Sequence, residues 1–238
     1  METNVQNEPV VAIAGVTGAV GGEFIATMNK RAFRVGKLKA LASARSAGRT
    51  IDFRGERIVI EELGGNSFDG VDIALFSAGG AIARKFAPIA VNAGAVVVDN
   101  SSAFRMDPNV PLVIPEINAN RIVEHNGIIA NPNCSAITAL VPLWPIHRTN
   151  RIKRVILSTY QAASGAGAAA MSELVDSTRA SLQGQIYQPK VLPYPCAFNV
   201  FNHDSPVDPE TGYNGEETKV SATPRAIRSR CSWPRTSP

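Results

Sequence analysis

The chain has 238 residues, 45% hydrophobic and 18% charged, which excludes a low-complexity chain and suits one large domain or two small ones. Its formal net charge of +4 is local: residues 221–238 hold four arginines and no acid, leaving 20 basic against 20 acidic residues in the body. A neutral body removes the electrostatic case for a nucleic-acid partner.

The opening METNVQNEPVVAIAG has no basic segment followed by an apolar one, and no later apolar run is long enough for a membrane span. The sequence therefore predicts a cytoplasmic protein with no membrane contact. Strand-like and helix-like segments then alternate, the pattern of a parallel sheet covered by helices. Val10 to Ala14 reads as a buried strand, Val20 to Lys30 as an amphipathic helix and Lys37 to Ala42 as a second strand. Ile51 to Glu61 alternates like a half-exposed strand or hairpin. Asp72 to Ser77 is another buried strand, Ala81 to Ala93 the helix after it, and Ala95 to Asp99 and Gly127 to Ala130 complete the sheet. A helix begins at Cys134, which Pro142 and Pro145 are expected to end or kink.

The second half opens with Arg151 to Gln161, predicted as an alternating strand, broken by Gly165 and Gly167 and followed by a helix from about Ala168 to Leu182. Gln185 to Gly215 is rich in Pro, Asn and Asp and reads as loop. The last eighteen residues, SATPRAIRSRCSWPRTSP, have four Ser, four Arg and three Pro without periodicity, so disorder is expected there. Cysteines at 134, 196 and 231 show no metal-ligand spacing and cannot all pair, which points to a reducing compartment and no metal site.

Two segments carry chemistry. Gly15-Val-Thr-Gly18-Ala-Val-Gly21 lies between the first strand and the first helix with the spacing G-x-x-G-x-x-G. Glycines there let the backbone approach a pyrophosphate resting on N–H groups at the helix N-terminus. Gly15, Thr17, Gly18, Ala19, Val20 and Gly21 are the predicted contacts. The end of the second strand lacks the acid that would bind ribose hydroxyls; Arg45, flanked by Ser43 and Ser46, suits a 2′-phosphate and so favours NADP. The other segment is GIIANPNCSAIT. It places Cys134 at a helix N-terminus, where free N–H groups and the helix dipole stabilise negative charge on sulfur and favour a nucleophile.

With these features in order, the chain resembles the aspartate-semialdehyde dehydrogenase family from about Val10 to Val220. The motifs are GVTGAVG, LASARSAG, LFSAGG, VDNSSAFRMD, PEIN, NPNCS, STYQAASGAG, AFNV and GEETK. Related N-acetyl-glutamyl-phosphate reductases would show Gly where Asn133 stands. The resemblance implies NADPH-dependent conversion of aspartyl phosphate to aspartate semialdehyde through a thioester on Cys134. It further implies that Arg105, Asn133 and Lys219 hold phosphate, Glu216 takes the substrate ammonium, Gln161 orients the substrate, and Ser164 and Gly165 line the nicotinamide side. The expected architecture is an α/β chain: an NADP-binding Rossmann domain over 1–133, an incomplete α+β catalytic and dimerisation domain over 134–220, and a disordered, unrelated tail over 221–238. A homodimer or homotetramer is expected from the family.

The family's histidine base motif has no counterpart here. His125, His147 and His203 all stand elsewhere, and resemblance stops at Val220 as if the gene were truncated or frame-shifted. The activity that the resemblance implies is therefore expected to be impaired in this chain, and the sequence also allows a catalytically dead, dinucleotide-binding remnant able to associate with full-length subunits.

Overall fold

The computed structural model describes residues 8–203 and 205–229. The chain divides into two compact units. One comprises residues up to Asn133 together with those from Ala226 onward, and the other is Cys134–Arg225.

The first unit is a seven-stranded sheet of β1 (Val10–Ala14), β2 (Lys37–Ala42), β3 (Thr50–Phe53), β4 (Glu56–Glu62), β5 (Ile73–Phe76), β6 (Val96–Asp99) and β7 (Ile128–Ala130), in the order β3-β4-β2-β1-β5-β6-β7. Every pairing is parallel except β3 with β4, a hairpin whose Thr50 faces Val59. Helices α1 (Ala19–Lys30) and α2 (Gly80–Asn92) follow β1 and β5, and a short α3 (Pro115–Asn118) precedes β7. This is the Rossmann-type α/β arrangement.

Strand periodicity explains how one sheet carries two cores. Val11 and Ile13 of β1 belong to one cluster, with Met28 of α1, Leu38 and Ile60; Ala12 and Ala14 belong to the other, with Phe76, Phe86, Ala87 and Ala90. The alanines on the second face let α2 lie close to the sheet, and Phe68 and Phe76 stack with centroids 5.6 Å apart. Ile13 is fully buried on the first face. Ile13→Ala is therefore expected to lower unfolding stability by about 2–5 kcal/mol, as cavity-forming substitutions do. A shift in the urea midpoint at unchanged slope checks it, and a midpoint unmoved would show that this face is not packed as described.

The second unit contains α4 (Cys134–Thr149), α5 (Ala168–Leu182) and, up to Arg225, α6 (Gly215–Ser229), joined by long irregular segments. Three readings of the sequence are corrected here. Residues 151–161 alternate in polarity yet form no strand among the described residues; a strand is defined by a paired neighbour, and alternation supplies none. Of the end or kink expected at Pro142 and Pro145, the end is overturned: helix α4 runs through both to Thr149. Each proline removes its own N–H bond, and the bonds on either side continue the helix.

The expected disordered tail from 221 is instead helical as far as Ser229. Its first turn is closed reciprocally: the Asn214 side chain accepts from the Glu216 and Glu217 N–H groups at 3.0 and 2.9 Å, and Glu217 Oε2 accepts from Asn214 N–H at 2.8 Å. Once a turn is nucleated, each further residue adds a bond, so a Ser- and Arg-rich composition does not stop propagation. Thr223 is buried and bonds the Lys219 carbonyl at 2.9 Å. The remainder of that predicted tail, 230–238, lies outside the described residues.

Candidate active site

In the first unit, chain direction switches at β1: its crossover leads to β2 on one side, while β5 and β6 lie on the other. Ligands of open parallel sheets bind at the carboxyl ends of the strands at such a switch. The turn Gly15–Gly21 stands there. Gly15 has φ +92°, and a Cβ on it would meet the Ser77 carbonyl oxygen at 2.5 Å, so only glycine lets the ends of β1 and β5 touch. A Cβ on Gly21 would lie 2.4 Å from the Gly15 oxygen, which presses α1 against its own entry turn. Gly18 caps α1 with no side chain, and its N–H bonds Gly15 O at 3.0 Å. The first-turn N–H groups of Ala19, Val20 and Gly21 point out of the helix end, beside the exposed Thr17.

A cradle shaped this tightly by backbone, with a bare helix N-terminus behind it, fits a dinucleotide pyrophosphate. Reading the sequence missed its second wall, Ser77-Ala78-Gly79. Gly79 has φ +87° and caps α2 as Gly18 caps α1. An apolar strand followed by Gly-Gly and a helical pattern carried that signal. Beside the cradle, Leu41 O accepts from the Gly15 and Val16 N–H groups, so the segment after β2 is tied to it. That segment forms a 3-10 turn, Ala44–Ser46, with Ser43 and Arg45 exposed and Ser46 buried.

The loops after β6 and β7 form a second polar cluster in the same unit. Asp99, fully buried, accepts from the Ser101 N–H at 3.0 Å and its hydroxyl at 2.7 Å, and the same hydroxyl accepts from the Ala103 N–H. This shapes the run that presents Arg105. The guanidinium donates to the Asn131 and Asn100 carbonyls, both at 2.9 Å, and the Asn131 amide donates to Asn100 Oδ1 at 2.6 Å. Two backbone acceptors fix the plane of the half-buried Arg105 beside the Asn131-Pro132-Asn133 turn, where Pro132 and Asn133 are buried. Asp99, Asn100 and Asn131 were not predicted; a buried acid ending a Val-rich strand was the available hint.

In the second unit Cys134 is the first residue of α4 and is exposed. Its Sγ lies 4.0 Å from Ser135 Oγ, and Thr138 Oγ1 donates to its carbonyl at 2.9 Å. Gln161 comes together with two predicted residues that lie more than fifty positions further along the chain. Gln161 Nε2 donates to Glu216 Oε1 at 3.2 Å, and Lys219 Nζ meets Glu216 Oε2 at 3.4 Å. Glu216 is buried at the second position of α6, where the N-terminal dipole favours an acid, and Lys219 stands one turn on. The residues expected to serve ammonium and phosphate separately are thus paired with each other. Ser164 and Gly165 occupy an exposed 3-10 turn, Ala163–Ala166, shortly after Gln161.

The histidines bond groups close by in sequence. His125 Nδ1 accepts from Gly127 N–H, His147 Nδ1 from Ile152 N–H, and His203 Nδ1 pairs with Ser205. Among the described residues no group of His, Cys, Asp and Glu could hold a metal ion, and no helix is long and apolar enough to cross a membrane.

Residues 10–125 match the semialdehyde dehydrogenase NAD-binding domain, and residues 143–230 match the semialdehyde dehydrogenase dimerisation domain. The structure of aspartate semialdehyde dehydrogenase II complexed with ASA from Vibrio cholerae is 40% identical, with a TM-score of 0.88, over 94% of this chain and 67% of that one. The chain belongs to the aspartate-semialdehyde dehydrogenase family. The enzyme of that name from Synechocystis sp. is 50% identical over 217 residues, 91% of this chain and 64% of that protein. The Bacillus subtilis enzyme is 46% identical over 88% of this chain and 62% of its own length. The chain therefore spans somewhat less than two thirds of these relatives. Similarity to the family reaches residue 230, ten positions past the Val220 limit set from motifs. A structure of aspartate semialdehyde dehydrogenase with NADP from Candida albicans is 27% identical with a TM-score of 0.50, over 60% of this chain and 48% of that one. The first unit is thus a nicotinamide-dinucleotide-binding domain of this family.

Proposed function

We propose that the chain carries the chemistry of an NADP-dependent aspartate-semialdehyde dehydrogenase, converting aspartyl phosphate to aspartate semialdehyde in amino-acid biosynthesis in the cytoplasm, as part of a homo-oligomer. The observation that carries this reading is the exposed Cys134, first residue of a helix and directly behind the buried Asn133. Sγ attacks the acyl carbon, the acyl–oxygen bond to phosphate breaks, and a thioester remains on Cys134. Arg105 and Asn133 with Lys219 hold the phosphate, for which a planar guanidinium fork is suited. Glu216 takes the substrate ammonium, and Gln161, already bonded to Glu216, orients the acyl group. The glycine cradle would hold the dinucleotide and Ser164 and Gly165 would line its nicotinamide side; when bound it would supply hydride to the acyl carbon, so that aspartate semialdehyde leaves and the Cys134 thiolate is regenerated. Incubating the chain with aspartate semialdehyde, phosphate and NADP tests the reading in reverse: NADPH should form only with all three present. Formation of NADPH without phosphate would refute an acyl-phosphate reaction.

Selection of NADP rests on Arg45 with Ser43 and Ser46 after β2, where no acid stands to bind a 2′-hydroxyl. NADPH is expected to bind at least about tenfold more tightly than NADH, about 1.4 kcal/mol, and Arg45→Ala to erase most of that difference. Equal affinities in the unsubstituted protein, by fluorescence titration, would remove the assignment.

A second reading is a dinucleotide-binding protein without turnover that associates with longer subunits. It is favoured by the ring nitrogens that serve local backbone and side-chain groups: Nδ1 of His125, His147 and His203 each bonds a group no more than five positions away in sequence. General acid–base help is worth about 10²–10⁴-fold. Tight NADPH binding with no phosphate-dependent oxidation would select this reading.

A further inference from the structure

From Gln185 to Phe201 the chain has neither helix nor strand. It is tied at its start by Gln185 N–H to Ala180 O at 2.8 Å, while Asn199 N–H to Cys196 O at 3.3 Å closes a turn within the segment itself. Among the described residues, the only backbone N–H groups between Ile186 and Phe198 that donate are three in succession, and all go to one carboxylate. Glu173 Oε2 accepts from Lys190 at 2.6 Å and Val191 at 2.8 Å, and Oε1 accepts from Leu192 at 2.8 Å. Three consecutive N–H groups form the concave nest that elsewhere holds a bound anion. Here the anion comes from helix α5 of the same chain, and it is buried. Apolar burial does little to hold the segment, because Val191, Tyr194, Phe198 and Val200 are 50 to 79% exposed.

We propose that Glu173 is the latch of a strap formed by residues 186–201, and that the strap lifts as a unit when the carboxylate loses its charge. Burial pushes the Glu173 carboxyl up, but the three backbone N–H groups and the Lys190 charge together hold it below its ordinary value. The neighbouring charged and titratable groups are Lys190 and Tyr187 from the strap and Asp176 from α5, the last paired with Arg179 at 3.2 Å. Burial, then the charges of Glu173 and Asp176, hold the Tyr187 phenol above its ordinary value, so it stays neutral. A carboxyl depressed in the folded chain contributes stability that is complete above its unfolded value and is lost as pH falls through the folded one. The strap is therefore closed at neutral pH and opens only in acid.

Hydrogen exchange on the full chain tests this without any need for turnover. In Glu173→Gln one oxygen is replaced by a donor that opposes an N–H, and loss of a charged acceptor is expected to raise exchange at Lys190, Val191 and Leu192 about tenfold or more. Protection within α5 and β1 should stay unchanged. Trypsin should then cleave after Lys190 faster than in the parent, while Asp176→Asn leaves the strap closed. Should Glu173→Gln fail to fold, the unsubstituted chain decides. Protection factors at 190–192 should be constant from neutral pH to about 5 and fall below the ordinary carboxyl value near 4, ahead of those in β1. Protection at 190–192 that is unchanged both by acid and in a folded Glu173→Gln would overturn the latch. So would simultaneous loss of protection in α5 and the strap.

Discussion

Cys134→Ser is expected to lower phosphate-dependent oxidation of aspartate semialdehyde by a factor on the order of 10³ or more, the loss seen when a nucleophile forming a covalent intermediate is removed. The oxygen is nearly isosteric but is a far weaker nucleophile at neutral pH. The side chain is exposed and its Sγ lies 4.0 Å from Ser135 Oγ, so the exchange removes reactivity without unpacking a core. NADPH affinity should change by less than about twofold, or roughly 0.4 kcal/mol, because the glycine cradle belongs to the other unit. Iodoacetamide should also label the exposed Cys134 before the half-buried Cys196. Initial rates and a fluorescence titration on the same preparations separate the outcomes. A variant keeping a tenth of the parent rate would exclude Cys134 as the nucleophile, and a silent parent that binds NADPH would favour the non-catalytic reading.

The first unit was legible in the sequence because its information is local. The parallel strands β1, β5, β6 and β7 are short apolar runs, α1 and α2 each follow a glycine turn, and a parallel sheet buried on both faces asks for little else. The glycine cradle was legible for the same reason: Gly15, Gly18 and Gly21 sit where the strand gives way to the helix. In the second unit, α5 was legible from its helical run, but what surrounds it was not. Residues 151–161 have the polarity of a strand, and pairing is a property of a neighbour. Helix α6 hid behind a disordered composition because its signal was a four-residue capping pair, Asn214 with Glu217. The Gln161–Glu216–Lys219 cluster joins positions 55 residues apart, and only the family resemblance named its members together. Glu173 shows the limit most plainly. A glutamate in a helix of ordinary polarity reads as solvated, whereas it is buried under three N–H groups from a loop with no pattern of its own.

Gly21→Ala and Gly22→Ala, adjacent in α1, are expected to act in opposite directions. A methyl on Gly22 meets nothing within 4 Å. In a helix interior alanine outperforms glycine by about 0.5–1 kcal/mol, so Gly22→Ala should raise the thermal midpoint slightly and leave NADPH binding intact. A methyl on Gly21 would sit 2.4 Å from Gly15 O, 2.5 Å from Val16 O and 2.6 Å from Val16 C, all backbone. None of these can rotate aside as a side chain would. The turn cannot retreat either, because Gly15 already rests on the Ser77 carbonyl and its N–H is held by Leu41 O. Helix and turn must separate, at a cost of about 1–3 kcal/mol by analogy with overpacked cores. For a chain of this size that corresponds to a thermal midpoint lower by roughly 2–12 °C. The same separation draws the first-turn N–H groups away from the cradle, so NADPH affinity should fall about tenfold or more, at least 1.4 kcal/mol. Calorimetry and titration on the two variants check the pair. Equal behaviour of Gly21→Ala and Gly22→Ala would mean that the contact of α1 with its entry turn does not shape the dinucleotide site.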